Sequence, residues 1–185
     1  MDIGSVNYKR FLNGDNAGLE EIIRTYRDGL IFYLYSIVGS LSQAEEIAED
    51  TFVLLCVKKP KDNQKSSFKT WLYTIGRNLA IDALRRNSRH AAVPLDTCNN
   101  IENEEETLEE MYLRNSKKQL LHKALEKLKP EYRQTLWLIY FEELSYKEVA
   151  QIIHKNIHAT EMLVSRARQA LKLELNKEGI INEDY

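Results

Sequence analysis

Glycine, proline and cysteine are scarce in this 185-residue chain, which has 7 Gly, 3 Pro and 2 Cys. So few turn-forming residues argue against a β protein rich in tight turns, and the apolar residues recur at helical spacings instead. The two cysteines, Cys56 and Cys98, are too few for a disulfide framework and lack metal-ligand spacing. Cys56 falls on an apolar helix face, so we expect it in the core. The composition predicts an all-α protein.

Long hydrophobic runs and catalytic signatures are also missing. The longest apolar run, 29–39, is too short to span a bilayer, and polar residues such as Asp2 and Lys9 exclude a signal peptide near the N-terminus. The four histidines lack fellow ligands at metal spacing, and no phosphate-binding glycine loop or nucleophile elbow is present. These absences predict a cytoplasmic protein that is not an enzyme, binds no metal or cofactor and does not insert into a membrane.

Charge is strongly segregated along the chain, although the formal net charge is only −2. Residues 58–90 contain 9 basic and 2 acidic side chains, whereas 91–113 contain 7 acidic and none that are basic. The whole-chain balance would argue against nucleic-acid binding, but the local pattern favours it.

The first half of the chain predicts four helices. A short helix ends at Asn13-Gly14, and a long one covers 19–38 and stops at Gly39. Ser42 and Glu45 form a predicted capping box for a third helix that runs to about Lys58 and has an acidic outer face. That face alone is equally explained as a solvated surface.

The fourth helix, 66–86, combines an apolar stripe with aromatic and basic groups on its other faces. The stripe contains Leu72, Ile75 and Leu79, with Asp82 in line. Rings, an amide and guanidinium groups on the remaining faces suit unstacked bases and phosphates. A core helix with a solvated basic end explains this stretch equally well when it is taken alone.

The second half begins with an acidic linker, 90–113, which divides the chain into two helical domains, 1–89 and 114–176, followed by a tail, 177–185. In the second domain Ser145 and Glu148 form another capping box. It opens a short helix, which a turn at 154–157 connects to a longer helix from about Ala159 to Leu175. A short helix, a turn and a longer helix predict a DNA-binding helix-turn-helix.

Two groups of motifs in this order resemble those of bacterial RNA polymerase sigma factors of the extracytoplasmic-function (ECF) group. The first domain carries AEEIAEDTF at 44–52 and SFKTWLYTIGRNLAIDALRR at 67–86. The second carries LKPEYR at 128–133, LSYKEVA at 144–150 and SRAR at 165–168. The likeness covers nearly the whole chain, and two separate agreeing domains make it more specific than a helix-turn-helix alone.

The resemblance implies promoter-directed transcription initiation with core RNA polymerase and promoter DNA as partners. The third helix would bind the β′ clamp helices through Glu46, Glu49, Asp50 and Phe52. The −10 element would be opened and held by Lys58, Lys65, Phe68, Trp71, Arg77, Asn78, Arg85 and Arg86, with Phe68 and Trp71 either stacking on bases or supporting that surface. The −35 element would contact Ala159, Thr160, Glu161, Met162, Ser165, Arg166 and Arg168. The linker would thread toward the RNA exit path, the second domain would bind the β flap, and family members commonly have an anti-sigma factor as a further partner.

The chain departs from the commoner family pattern in the helix-turn-helix. His154 stands where many members have a glycine, and Glu161 and Met162 replace an early Lys-Ser-Arg run, which puts the usual −35 preference in doubt. Two other functions remain open from the residues alone. A stand-alone helix-turn-helix regulator would bind duplex DNA without polymerase, and a protein-interaction module would show no salt-dependent DNA binding.

Overall fold

The computed structural model describes residues 2–60, 66–90 and 116–177. Over these ranges the chain forms eight α-helices and no strand, which confirms the all-α prediction. The helices are α1 (Ile3–Leu12), α2 (Ala17–Val38), α3 (Leu41–Lys58), α4 (Phe68–His90), α5 (Ser116–Glu126), α6 (Pro130–Tyr140), α7 (Tyr146–Ile152) and α8 (Ile157–Lys177). Most of the predicted acidic linker and the tail from 178 onward lie outside the described residues.

Local capping explains several helix ends. The Asp2 carboxylate accepts a hydrogen bond from the Ser5 backbone N–H at 2.8 Å and starts α1. Gly39 ends α2 in the left-handed conformation at φ 72°, where glycine carries little steric cost. The Ser145–Glu148 capping box is present at the start of α7, as predicted.

The predicted cap of α3 is wrong by two residues. Ser40, not Ser42, has extended backbone angles and accepts a hydrogen bond from the Gln43 N–H at 3.4 Å. Ser42 is already inside the helix and exposed. The two serines are equally good caps in sequence, and the position of Gly39 before Ser40 decides between them.

Helices α1, α3 and α4 pack around α2, whose second half is almost wholly buried. Leu72 of α4 is fully buried as predicted, and Ile75 and Leu79 pack against the same core. The prediction of a buried Cys56 is wrong, since it is exposed. Successive helix residues turn by about 100°, so Cys56 falls beside, not within, the buried stripe that Leu55 occupies.

The second half of the chain contributes to the same core as the first. Trp137 and Leu138 of α6 and Val149 and Ile152 of α7 belong to one buried cluster with Leu72 and its neighbours. A smaller apolar cluster joins α5, α6 and α8 within the second half. The most extensive contacts between the halves are those of α2 with α6 and of α4 with α7.

Candidate nucleic-acid interface

Helices α7 and α8 form the predicted helix-turn-helix. The Asn156 side chain accepts a hydrogen bond from the Ala159 N–H at 2.7 Å, so α8 begins at Ile157, two residues earlier than predicted. The turn passes through His154 at φ 55°, a left-handed conformation that costs a non-glycine residue roughly 1–2 kcal/mol. The turn therefore keeps the left-handed backbone conformation that glycine favours, although histidine occupies the position.

Helix α8 turns one face inward and most of the predicted −35 residues outward. Glu161, Met162, Ser165 and Arg166 are exposed, and Ala159 is half-buried. The predicted −35 contact by Thr160 is wrong, because its side chain is fully buried and its hydroxyl donates to the Asn156 carbonyl at 3.0 Å. It therefore supports the start of the helix and does not present a group to DNA.

Arg168 is exposed but already engaged within the second domain. Its guanidinium donates to the Tyr146 hydroxyl at 3.1 Å and lies 5.6 Å from the centre of the Tyr140 ring. These contacts hold the arginine close to α7, so it ties the two helices of the motif together. It can still offer its remaining N–H groups to a phosphate.

The aromatic residues at the start of α4 form a cluster with α1 and α2. Phe68 is fully buried, with its ring centre 5.6 Å from those of Tyr8, Tyr26 and Trp71. A base cannot stack on a ring enclosed in this way, so of the two roles left open for Phe68 the structure favours support. Trp71 is half-buried against Tyr8 at 5.3 Å and keeps part of its ring at the surface.

One exposed face of α4 carries several of the predicted −10 residues. Trp71, Asn78, Asp82 and Arg85 are spaced by seven, four and three residues, which places them along one side of a helix. Asp82 pairs weakly with Arg85 at 3.6 Å. Of the other predicted cations, Lys58 is exposed at the end of α3, Arg86 is exposed beside Arg85, and Lys65 lies outside the described residues.

Arg77 and Asn78 face the second domain. The Asn78 side-chain oxygen lies 3.1 Å from the Nε2 atom of His154, so the residue that occupies the left-handed turn also contacts α4. Arg77 is half-buried and lines a small cleft between the two halves, together with Glu131 and Lys155. Two predicted promoter contacts therefore lie at the domain interface.

Glu148 joins the two halves through hydrogen bonds. One carboxylate oxygen accepts from the Ser145 N–H and hydroxyl at 3.0 and 2.7 Å, and the other accepts from Ser67 and Thr70 at 2.9 and 3.2 Å. Partial burial acts to raise the pKa of Glu148, but these hydrogen bonds outweigh it and hold the pKa below its ordinary value of 4.5. A residue predicted only to cap α7 thus also binds the start of α4.

A second carboxylate, Glu142, occupies the centre of the interface. Its side chain pairs with Lys69 at 2.7 Å and accepts from the Trp137 indole N–H at 3.3 Å. The buried Tyr73 hydroxyl faces the Glu142 carboxylate. Burial is the larger cause, and the negative charge of Glu142 the next, of a Tyr73 pKa that lies well above 10. A Cβ at Gly29 would lie 2.6 Å from the Tyr73 hydroxyl and 2.7 Å from Glu142, so a larger residue would displace the ends of these two side chains.

The predicted polymerase-binding residues lie on α3. Glu46, Glu49 and Asp50 are exposed, whereas Phe52 is only 7% exposed and belongs to the core. The predicted polymerase contact by Phe52 is therefore wrong. Helix geometry places Val53 and Val57 near the acids, and both are exposed, at 56% and 74%. Sequence reasoning missed them, although their spacing of three and seven from Asp50 was a usable signal.

Other kinds of site are not found in the part of the chain that the structure describes. None of its helices is both long and apolar enough to cross a membrane. Nor do residues 2–60, 66–90 and 116–177 contain a group of three or more histidines, cysteines or acids placed to hold a metal ion.

Comparisons with known proteins agree with these features. Residues 22–90 match Sigma-70 region 2, and residues 118–171 match Sigma-70, region 4. The chain is 31% identical to the RNA polymerase sigma factor YlaC of Bacillus subtilis over 86% of this chain and 92% of that protein. It is 25% identical to the ECF sigma factor SigW of the same organism, over 90% and 94%.

The fold is similar to those of two solved structures. One is the sigma factor RpoE in complex with the anti-sigma factor NepR from Bartonella quintana, with a TM-score of 0.65, 25% identity, and coverage of 85% of this chain and 96% of that one. The other is CnrH in complex with the cytosolic domain of CnrY, with a TM-score of 0.65 and coverage of 95% and 99%. At 18% identity the second shows a shared fold alone.

Proposed function

Because the chain belongs to the ECF group of bacterial RNA polymerase sigma factors, which direct promoter-specific transcription initiation, we propose a division of that work between its two halves. The match to region 2 over 22–90 sets aside the alternative of a stand-alone helix-turn-helix regulator. Sigma factors are non-catalytic initiation factors. The contacts with the −10 element, the −35 element and polymerase are assigned to individual residues of this chain as proposals.

We propose that the exposed face of α4 binds the −10 element. Trp71, Asn78 and Arg85 offer a ring, an amide and a guanidinium on one side of the helix, Arg86 is exposed beside Arg85, and Lys58 adds an exposed positive charge at the end of α3. Extruding a base costs a few kcal/mol, and stacking on an aromatic ring contributes about 1–3 kcal/mol per base. In this proposal Trp71 supplies the stacking surface and Phe68 holds it from behind.

The outward face of α8 would read the −35 element as duplex. In a helix-turn-helix the N-terminal residues of the second helix reach base edges in the major groove. Here the exposed residues of the first two turns are Ile157, His158, Glu161 and Met162, followed by Ser165 and Arg166. The acidic and apolar face of α3, with Glu46, Glu49, Asp50, Val53 and Val57, would bind the β′ clamp helices of polymerase.

The packed arrangement supports a step of domain separation before promoter binding. Asn78, assigned to the −10 element, contacts His154 of the second domain, and Arg77 lines the cleft between the domains. Neither can contact DNA freely while α7 stays on α4. We propose that binding to core polymerase, through α3 and the second domain, accompanies opening of this interface.

An anti-sigma factor is a further proposed partner. Sigma factor RpoE, which has 25% identity to this chain, was solved with the anti-sigma factor NepR. A partner of that kind would act here by holding the chain in an arrangement that cannot bind core polymerase.

The function is tested by adding purified chain to core RNA polymerase. We expect co-elution with the core enzyme and run-off transcripts from a subset of genomic fragments, with neither activity from chain or core alone. Glu20→Gln, an exposed change on α2, a helix that carries none of the assigned residues, is the matched control. Failure to bind core and to direct transcription from any fragment would contradict the proposal.

A further inference from the structure

The first two turns of α8 present an unusual set of side chains for a helix that enters DNA. Residues 157–165 contain neither lysine nor arginine, and Arg166 is the first such cation. The Glu161 side chain is 52% exposed and Met162 is 45% exposed. Because this part of the helix reaches base edges, an acid and a thioether stand where positive groups that read guanine would otherwise lie.

The inward face of α8 fixes where these two side chains point. Thr160, Val164 and Ala167 are buried, and at about 100° per residue Met162 falls nearly opposite them. Glu161 falls on the flank of the outward face. Its nearest ionic partner among the described residues is His158, with Nδ1 3.9 Å from the carboxylate. Both side chains therefore stay available to a ligand in front of the helix.

The chemistry of a carboxylate restricts which base it can contact. Ionised glutamate only accepts hydrogen bonds, and in the major groove cytosine offers the N4 amino group as a donor. Guanine presents two acceptors there and would repel the carboxylate, and adenine presents its amino group beside the acceptor N7. The apolar Met162 side chain can instead pack on the C5-methyl group of thymine.

We propose that Glu161 selects a cytosine in the −35 element and that Met162 selects a thymine near it. This inference rests on the proposed function of α8 and names the specificity of that same site. The cost of bringing a carboxylate near phosphates is offset by the exposed cations Arg166 and Lys147, which contact the backbone without reading sequence. Affinity and base choice thus come from different residues.

The test uses polymerase holoenzyme and a pool of templates that share one working −10 region and carry a randomised upstream segment. Transcripts from the pool are sequenced for wild type and for Glu161→Gln. We expect wild type to enrich cytosine at one position by about 5- to 150-fold. Glutamine pairs bidentately with adenine N6 and N7, so Glu161→Gln is expected to move the preference at that position to adenine. Glu20→Gln removes the same charge from exposed α2 and should leave the preference unchanged.

The methionine contact is tested on the selected template by replacing thymine with deoxyuridine, which removes only the methyl group. Transcription by wild type should fall at one position, whereas Met162→Ala should be insensitive to the change there. If an upstream motif is enriched but neither variant alters any base preference, this inference is overturned while the proposed function stands. If wild type transcribes no template in the pool, both are wrong.

Discussion

The Lys69 ammonium group lies 2.7 Å from the Glu142 carboxylate and links α4 of the first domain to the segment that follows α6 in the second. The side chains are 28% and 9% exposed, so the pair is largely shielded from water. Lys69 also donates to the Glu142 backbone carbonyl at 2.9 Å. The pair is therefore positioned by several contacts, and the Glu142 carboxylate lies close to Gly29 of α2.

We expect Glu142→Ala to loosen the domain interface. The change leaves the Trp137 indole N–H without the Glu142 carboxylate and leaves Lys69 with only the backbone carbonyl of residue 142. Removing one partner of a shielded ion pair is destabilising. Since the pair keeps some solvent contact, we expect a loss of about 1–3 kcal/mol in domain association. Small-angle X-ray scattering should show a larger radius of gyration for the free chain.

Glu21→Ala is the control for that experiment, because Glu21 pairs with Arg24 on the exposed surface of α2. Exposed pairs contribute about 0–1 kcal/mol, so the radius of gyration should not change. An unchanged radius for Glu142→Ala as well would show that the ion pair does not hold the domains together.

Association of the domains should also depend on pH through Glu148. Its pKa is lowered in the folded chain, so its stabilising contribution is fully present above about pH 4.5 and is lost as the pH falls through the lower folded value. Titrating the scattering radius from pH 6 toward pH 3.5 should reveal opening at the acid end of that range.

Paired variants separate the two roles of Glu148. Ser67→Ala with Thr70→Ala removes the bonds to α4 and leaves the cap of α7 intact. The Ser67 hydroxyl also accepts from the Thr70 N–H at the start of α4, so helix content by circular dichroism should fall by no more than the first turn of α4. The radius of gyration of the double variant should already exceed that of wild type at pH 6. Equal acid sensitivity in wild type and the double variant would assign the transition to other carboxylates.

The surface of α4 makes a separate prediction about DNA opening. Trp71→Ala with Asn78→Ala should leave binding to core polymerase intact and reduce open-complex formation by about 5- to 150-fold, because one lost base stack removes about 1–3 kcal/mol. Permanganate reactivity of unpaired thymines on a promoter template measures the opening. A parallel loss of core binding would indicate a folding defect and contradict the assignment.

A premelted template is the sharper control for the same pair of variants. When the −10 bases are mismatched and already unpaired, the cost of extrusion is largely removed. Transcription by the double variant should then recover toward wild type. No recovery would mean that these residues act after melting or on another step.

The sequence predicted what depends on local pattern and missed what depends on packing between distant segments. Helical periodicity located the four helices of the first domain and the two helices of the helix-turn-helix, and the Ser145–Glu148 cap was recognisable because its two residues are three apart. The bond from Glu148 to Ser67 joins residues 81 positions apart and has no local signature. For the same reason Phe52 and Thr160 were assigned to contacts when neighbouring helices in fact cover them.

The exposed face of α3 is predicted to bind core polymerase through both its acidic and its apolar side chains. Glu49→Lys with Asp50→Lys should abolish co-elution with core, because both carboxylates are exposed and reversal replaces attraction by repulsion at the same positions. Val53→Ser with Val57→Ser should weaken binding more mildly and with less dependence on salt, since it removes apolar area and no charge. Glu20→Lys with Asp28→Lys, exposed on α2, is the charge-matched control and should co-elute as wild type does. Full core binding by both α3 variants would place the polymerase contact on another surface.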